Sequence, residues 1–178
     1  MTRYTFDPSR STLTMAARSS VHPIEVESSD LAGDLELELD EEGRLVPGTP
    51  VAGTLEVPVG ELATGNPLYD RELRRRLDPR RYPSIEARLE DVAPDDQPGR
   101  YRVRGTVAFR GASQVAEDLV TLRVEGDGSV VVEGAHQFDI RDFGLEPPRI
   151  AMLKVYPEVE VRARLVARPA GPGAGQGG

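Results

Sequence analysis

The residues of this chain best suited to chemistry are two histidines, one serine in a tight Gly-Ala-Ser run, and a dense set of arginines. His22 and His136 lie far apart and carry no His-Glu-x-x-His spacing, so no zinc-protease helix is encoded. Ser113 follows Gly111-Ala112 but lacks the Gly-x-Ser-x-Gly elbow that lifts a nucleophile above a sheet. The chain has no cysteine, which removes disulfides, thiolate metal sites and a cysteine nucleophile. Its carboxylates mostly alternate with apolar residues, the pattern of solvated strand faces rather than of a metal site. The glycines near residue 178 follow no strand and open no helix, so they make no phosphate loop. No catalytic residue, metal ligand or cofactor is expected, and the chain reads as a non-enzyme.

Arg71, Arg74, Arg75, Arg76, Arg80 and Arg81 gather positive charge in a chain with 22 Lys and Arg against 30 Asp and Glu, net −8. They can be read as attracting an anionic headgroup. The simpler reading, preferred here, is a solvated helix face paired with Asp70, Glu72 and Asp78, each pair worth a few tenths of a kcal/mol. The acidic balance argues against nucleic acid as a partner. Apolar runs are short, so no integral membrane association is expected, and the first residues lack the apolar core of a secretory signal. A cytoplasmic protein is the expectation, and a homodimer is compatible with it.

These residues must be positioned mainly by strands. Tyr4 and Phe6; Leu13, Met15 and Ala17; and Leu35, Leu37 and Leu39 each alternate with polar residues. The same period of two runs through 53–59, 85–89, 101–109, 117–125 and 155–167. Pro58 puts its strand near an edge or end. Asp127-Gly128 signals a hairpin into a strand from residue 129 to Phe138 or Ile140, with a bulge at Gly134. Residues 93–99 and 142–154 read as loop, with a turn of helix over 150–153. Helix wins only over 68–77. There Leu68, Tyr69, Leu73 and Leu77 recur at helical spacing, acids lead, arginines follow, and Asp78-Pro79 ends the segment. Tyr82-Pro83 then starts a new strand.

Eight or so short strands with one helix define an all-β fold, an antiparallel barrel of about eight strands. Such an interior is either filled by side chains or holds one small ligand. Residues 1–168 form one domain, and 169–178 are a Gly/Pro-rich tail expected to be disordered.

Four pieces of this sequence resemble the YceI-like family of polyisoprenoid-binding domains. They are Tyr4-x-x-Asp7-Pro8-x-x-Ser11; Leu73 to Leu77 with Asp78, Tyr82-Pro83 and Ile85; Tyr101-x-Val103-x-Gly105-x-Val107-x-Phe109-Arg110-Gly111; and Asp142-Phe143-Gly144 after Arg141. Arg10 stands where the family often has His. The resemblance covers about residues 4–167. It implies a lipocalin-like barrel whose lumen binds a long isoprenoid, such as a polyprenyl quinone, without catalysis. The alternative is a filled barrel acting as an interaction or stress-associated scaffold.

If the lumen is open, Leu13, Met15, Leu37, Leu55 and Val57 are expected to line it from the first half of the chain. Ile85, Leu89, Val107 and Phe109 would do so from the second half, with Phe138 and Phe143 beyond them. Leu68, Tyr69, Leu73 and Leu77 would face it from the helix as a lid, and Tyr82 from the strand entry. Burying methylenes contributes about 0.8 kcal/mol each, so a long tail needs no polar contact to bind. His136, with Gln137 and Arg141-Asp142, reads as a hydrogen-bonded polar cluster or as part of a lumen mouth.

Overall fold

A computed structural model describes residues 1–150 and 152–171, with the side chain of Ile150 left aside. The strands are β1 (Thr2–Phe6), β2 (Thr12–Ser19), β3 (Ile24–Ser28), β4 (Ala32–Leu37), β5 (Ala52–Pro58) and β6 (Ser84–Pro94). They continue as β7 (Arg100–Phe109), β8 (Ala112–Val124), β9 (Val130–Asp139), β10 (Arg149–Ile150) and β11 (Leu153–Pro169). One α-helix, α1 (Pro67–Leu77), precedes β6, and 3-10 turns occupy Val59–Glu61 and Ile140–Phe143.

All strand pairs are antiparallel, in the order β1-β4-β5-β6-β7-β8-β9-β11, and β11 returns to β1 to close an eight-stranded barrel. The expected class therefore holds. β2 and β3 extend this ring: β2 prolongs the line of β1 along β11, and β3 pairs with β2. The break between β1 and β2 is a polar knot. Asp7 N–H donates to the Val166 carbonyl at 2.8 Å, and Val166 N–H donates to Ser11 Oγ at 3.0 Å. Ser9 N–H and hydroxyl donate to Asp7 Oδ1 at 3.0 and 2.6 Å. The chain thus leaves the ladder for five residues while the backbone groups of β11 stay satisfied.

Local rules explain α1. Asn66 Oδ1 accepts from Leu68 N–H at 3.0 Å, Pro67 takes the first helical position, and Asp78 closes the helix in the left-handed region at φ 51°. Asp70, expected to pair with arginine, instead accepts from the Thr64 hydroxyl at 2.7 Å, and only Arg75–Glu72 at 3.5 Å is an ion pair within the helix.

Several expectations on boundaries need correction. β3 falls in a stretch to which the alternation assigns no element, and β10 falls in the expected loop 142–154; β10 pairs with β11 through Arg149↔Lys154 in place of the helical turn over 150–153, where residue 151 lies outside the described residues. β8 starts at Ala112, and β6 runs on to Pro94. Gly134 is paired in register with Ala163 rather than bulged; the irregularities fall at Leu89/Asp91 and Val155/Val159. Pro58 does end its strand, opposite Ser84. The last strand extends to Pro169, and of the tail residues 172–178 lie outside the described residues.

Candidate functional site: an apolar lumen with a polar seam

Alternate residues of the barrel strands point inward and enclose two adjoining chambers of about 320 and 260 Å³. Leu13, Leu55, Ala87, Val107, Phe138 and Val161 border both, so the chambers meet at a shared waist. The larger chamber continues past Leu37, Leu89 and Val103 to Leu45 and Val51 of the β4–β5 loop. That loop is pinned where Leu45 N–H donates to the Tyr101 hydroxyl at 2.9 Å. The smaller chamber is bordered by Met15, Val57, Ile85, Phe109 and Phe143, and by Leu73 and Leu77 of α1. The lumen is therefore an elongated, largely apolar space lined by aliphatic and aromatic side chains.

Small residues help to make this space. Gly105 on β7 sits against Leu89 of β6, and a Cβ there would lie 2.6 Å from the Arg88 carbonyl oxygen. Only glycine lets the two strands approach so closely at the bulge of β6.

The lining includes Leu13, Met15, Leu37, Leu55, Val57, Leu73, Leu77, Ile85, Leu89, Val107, Phe109, Phe138 and Phe143 from the expected set. Leu68, Tyr69 and Tyr82 line neither chamber. Leu68 is 53% exposed, because the inner face of this short helix is used up by Leu73 and Leu77. Tyr69 packs on Ile24, Leu153 and Val155, outside the ring, and its ring stacks on His22 at 6.3 Å. Tyr82 sits edge-on to Phe109 at 6.3 Å, with the Arg110 guanidinium over the Tyr82 ring at 4.6 Å, so it supports a wall residue from behind.

Among the described residues, the barrel wall is interrupted twice. β3 leaves the edge of the ring with only the Glu27↔Ala63 bridge on its free side, and α1 lies across that opening with Leu73 and Leu77 turned in. The second interruption lies between β8 and β9. Their ladder runs only from Val124↔Val130 to Thr121↔Glu133, although β8 begins at Ala112 and β9 ends at Asp139. Beyond Thr121 the two strands carry no mutual pairing. Val120 leans over Gly134, where a Cβ would come 2.8 Å from Val120 Cγ1, and further along Gln114 Nε2 donates to the Asp142 carbonyl at 3.3 Å.

Within this seam, Asp118 and His136 project into the larger chamber, with Asp118 Oδ2 2.6 Å from His136 Nδ1. Their side chains are 26% and 29% exposed, so the pair touches both lumen and solvent. The His136 ring stands edge-on to Phe138 at 4.4 Å. Sequence reasoning placed His136 with Gln137 and Arg141-Asp142. Instead Gln137 alternates to the outer face, and Arg141 is held by Asp139, which lies 2.6 Å from its Nη2. That guanidinium holds the Asp139 carboxyl below the usual carboxylate range. Asp118 was missed because it follows Glu117 in what reads as a solvated run. The signal was its phase, since it alternates in step with Val120 and Leu122. Arg10 bonds Ser129 Oγ at 3.0 Å and Asp127 at 3.1 Å, remote from both chambers.

An antiparallel eight-stranded barrel with an apolar lumen defines a lipocalin-like fold. The chain belongs to the YceI-like domain family, whose model matches residues 4–167. Its fold is similar to that of Burkholderia cenocepacia BcnA, at 16% identity and TM-score 0.76, over 90% of this chain and 98% of that one. It is similarly close to a polyisoprenoid binding domain from Saccharophagus degradans implicated in plant cell wall breakdown, at 15% identity and TM-score 0.75, over 96% and 100% of the two chains. The Campylobacter jejuni YceI protein matches at 11% identity and TM-score 0.63, over 84% and 86%. No curated protein matches the chain.

Proposed function

We propose that this protein binds a long isoprenoid, or a lipid of like chemistry such as a polyprenyl quinone, along the barrel lumen and performs no covalent chemistry on it. The observation that carries the reading is the pair of adjoining apolar chambers, which taken together match small-molecule pockets of roughly 300 Å³ and above. Desolvation of the chain supplies the affinity, at about 0.8 kcal/mol per methylene buried. Selection is then by length and width. Membership in a family that includes a polyisoprenoid binding domain supports the same ligand class. Among the described residues, no helix is long and apolar enough to cross a membrane, and no group of three or more His, Cys, Asp or Glu gathers at metal-binding distance.

Native mass spectrometry of the purified protein, with lipid extraction, tests this. A co-purifying isoprenoid is the expected result. Ala87→Phe at the waist should then weaken long-chain ligands about tenfold while sparing chains short enough for one chamber. Consistent failure to take up any isoprenoid, with the fold intact, would leave a barrel acting as a scaffold.

A further inference from the structure

From the seam we infer a second, polar element of the site: His136, oriented by Asp118, forms a hydrogen bond with a hydroxyl on the ligand's head. This rests on the lumen reading above and adds to it the chemical class of the head, namely an alcohol, phenol or hydroquinone rather than a bare hydrocarbon.

Three observations meet here. Asp118 and His136 face each other across the stretch where the β8–β9 ladder has stopped, so no backbone pairing closes the wall beside them. Both line the larger chamber, whose other inward-facing neighbours at this level, Ala116, Val120, Gly134 and Phe138, are apolar. Finally, only one ring nitrogen is engaged. At 2.6 Å the Nδ1–Oδ2 pair must share a proton, because two lone pairs at that distance repel. With Nδ1 so engaged, Nε2 is the ring nitrogen left to meet a ligand. Among the described residues Nε2 has no hydrogen-bond partner, and it is not a buried unsatisfied atom.

A hydroxyl is the group that completes this arrangement. It donates to a bare Nε2 and accepts from a protonated one, so it fits the ring in either state. A head held at the seam also leaves the tail free to run past the waist into the smaller chamber, so the polar contact fixes which end of the lipid sits where. The 26% and 29% exposure of the pair keeps the head close to solvent, which lowers the cost of burying its oxygen.

With only two histidines in the chain, imidazole nitrogen-15 NMR reads the contact directly. On addition of geranylgeraniol, or of a geranylgeranylated phenol, the Nε2 signal of His136 should move while that of exposed His22 stays. The hydrocarbon with the same carbon skeleton should move neither. In parallel, His136→Phe should reduce affinity for the alcohol and phenol about tenfold, to the level of the hydrocarbon, whose own binding should not change. Hydroxyl-bearing probes that bind without shifting His136 would overturn the inference and leave the lumen reading intact. So would a variant that loses all three probes equally. If none of the probes binds the unmodified chain, both readings fall. Should phenylalanine disturb the fold, the NMR measurement decides alone.

Discussion

The two interruptions of the barrel wall pose the same physical problem and are closed in opposite ways. At the free edge of β3, α1 crosses the opening and turns in Leu73 and Leu77, which pack on Met15, Val57 and Ile85 around the smaller chamber. Between β8 and β9, among the described residues, no strand or α-helix crosses the opening, and the side chains that meet there are Asp118 and His136. An apolar plug contributes stability through burial. A partly exposed polar pair contributes little, and replacing such a pair with apolar residues is often neutral or stabilising. The difference separates a gap closed for the sake of the fold from one kept polar for another purpose.

The strongest way to break this comparison is to charge the plug. Leu73→Asp with Leu77→Asp should cost several kcal/mol and abolish isoprenoid retention, read from chemical denaturation and native mass spectrometry. If stability hardly changed, α1 would be an ornament and not a wall. The converse change sharpens the contrast: Asp118→Leu with His136→Leu should leave the denaturation midpoint unchanged or raise it by up to about 1 kcal/mol equivalent, while removing any preference for hydroxylated ligands. A loss as large as that at the helix would show that the seam is structural after all.

Acid should act elsewhere. The Ser9 hydroxyl and N–H, with Arg168 and Arg10 behind them, hold the Asp7 carboxyl below its ordinary range. The Thr64 hydroxyl does the same for Asp70, at the foot of α1. A carboxyl with a lowered folded-state value stabilises the protein above the unfolded value, about pH 4, and that share is lost as pH falls through the folded value. Thermal melts recorded downward from that pH should therefore decline, and Asp7→Asn should flatten part of the slope. Smallest of all is the effect expected from the arginines. Arg74→Gln with Arg75→Gln removes one exposed pair, Arg75–Glu72, and should change stability by a few tenths of a kcal/mol and ligand uptake not at all. A marked drop in uptake would restore the arginines to the site.

Period-two alternation was enough to read the barrel, because each strand is half inside and half outside and that fact is local. The helix was readable for the same reason, from Asn66-Pro67 to Asp78-Pro79. What escaped depends on partners far away in the chain. Whether Ile24 and Val26 make a strand is settled by Met15 and Ala17, which pair with them. Whether Leu68 or Leu73 faces inward depends on where α1 meets β3. Asp118 and His136 become a pair only because β8 and β9 run side by side past the end of their ladder, and no local spacing encodes that register.

β11 has a kinetic consequence. This one strand of 17 residues pairs with β9 on one side and with β2 and then β1 on the other, as far as Tyr4↔Pro169. The ring cannot close until residues from the two extremes of the fold have met, with nearly the whole described chain looped between them. Folding of this barrel should accordingly be slow, in the range of milliseconds to seconds for topologies dominated by distant pairings. Until that last stave is seated, β9 and β2 present open edges, and it is during this interval that the protein is most exposed to misassociation. Stopped-flow refolding that finished within microseconds would contradict this.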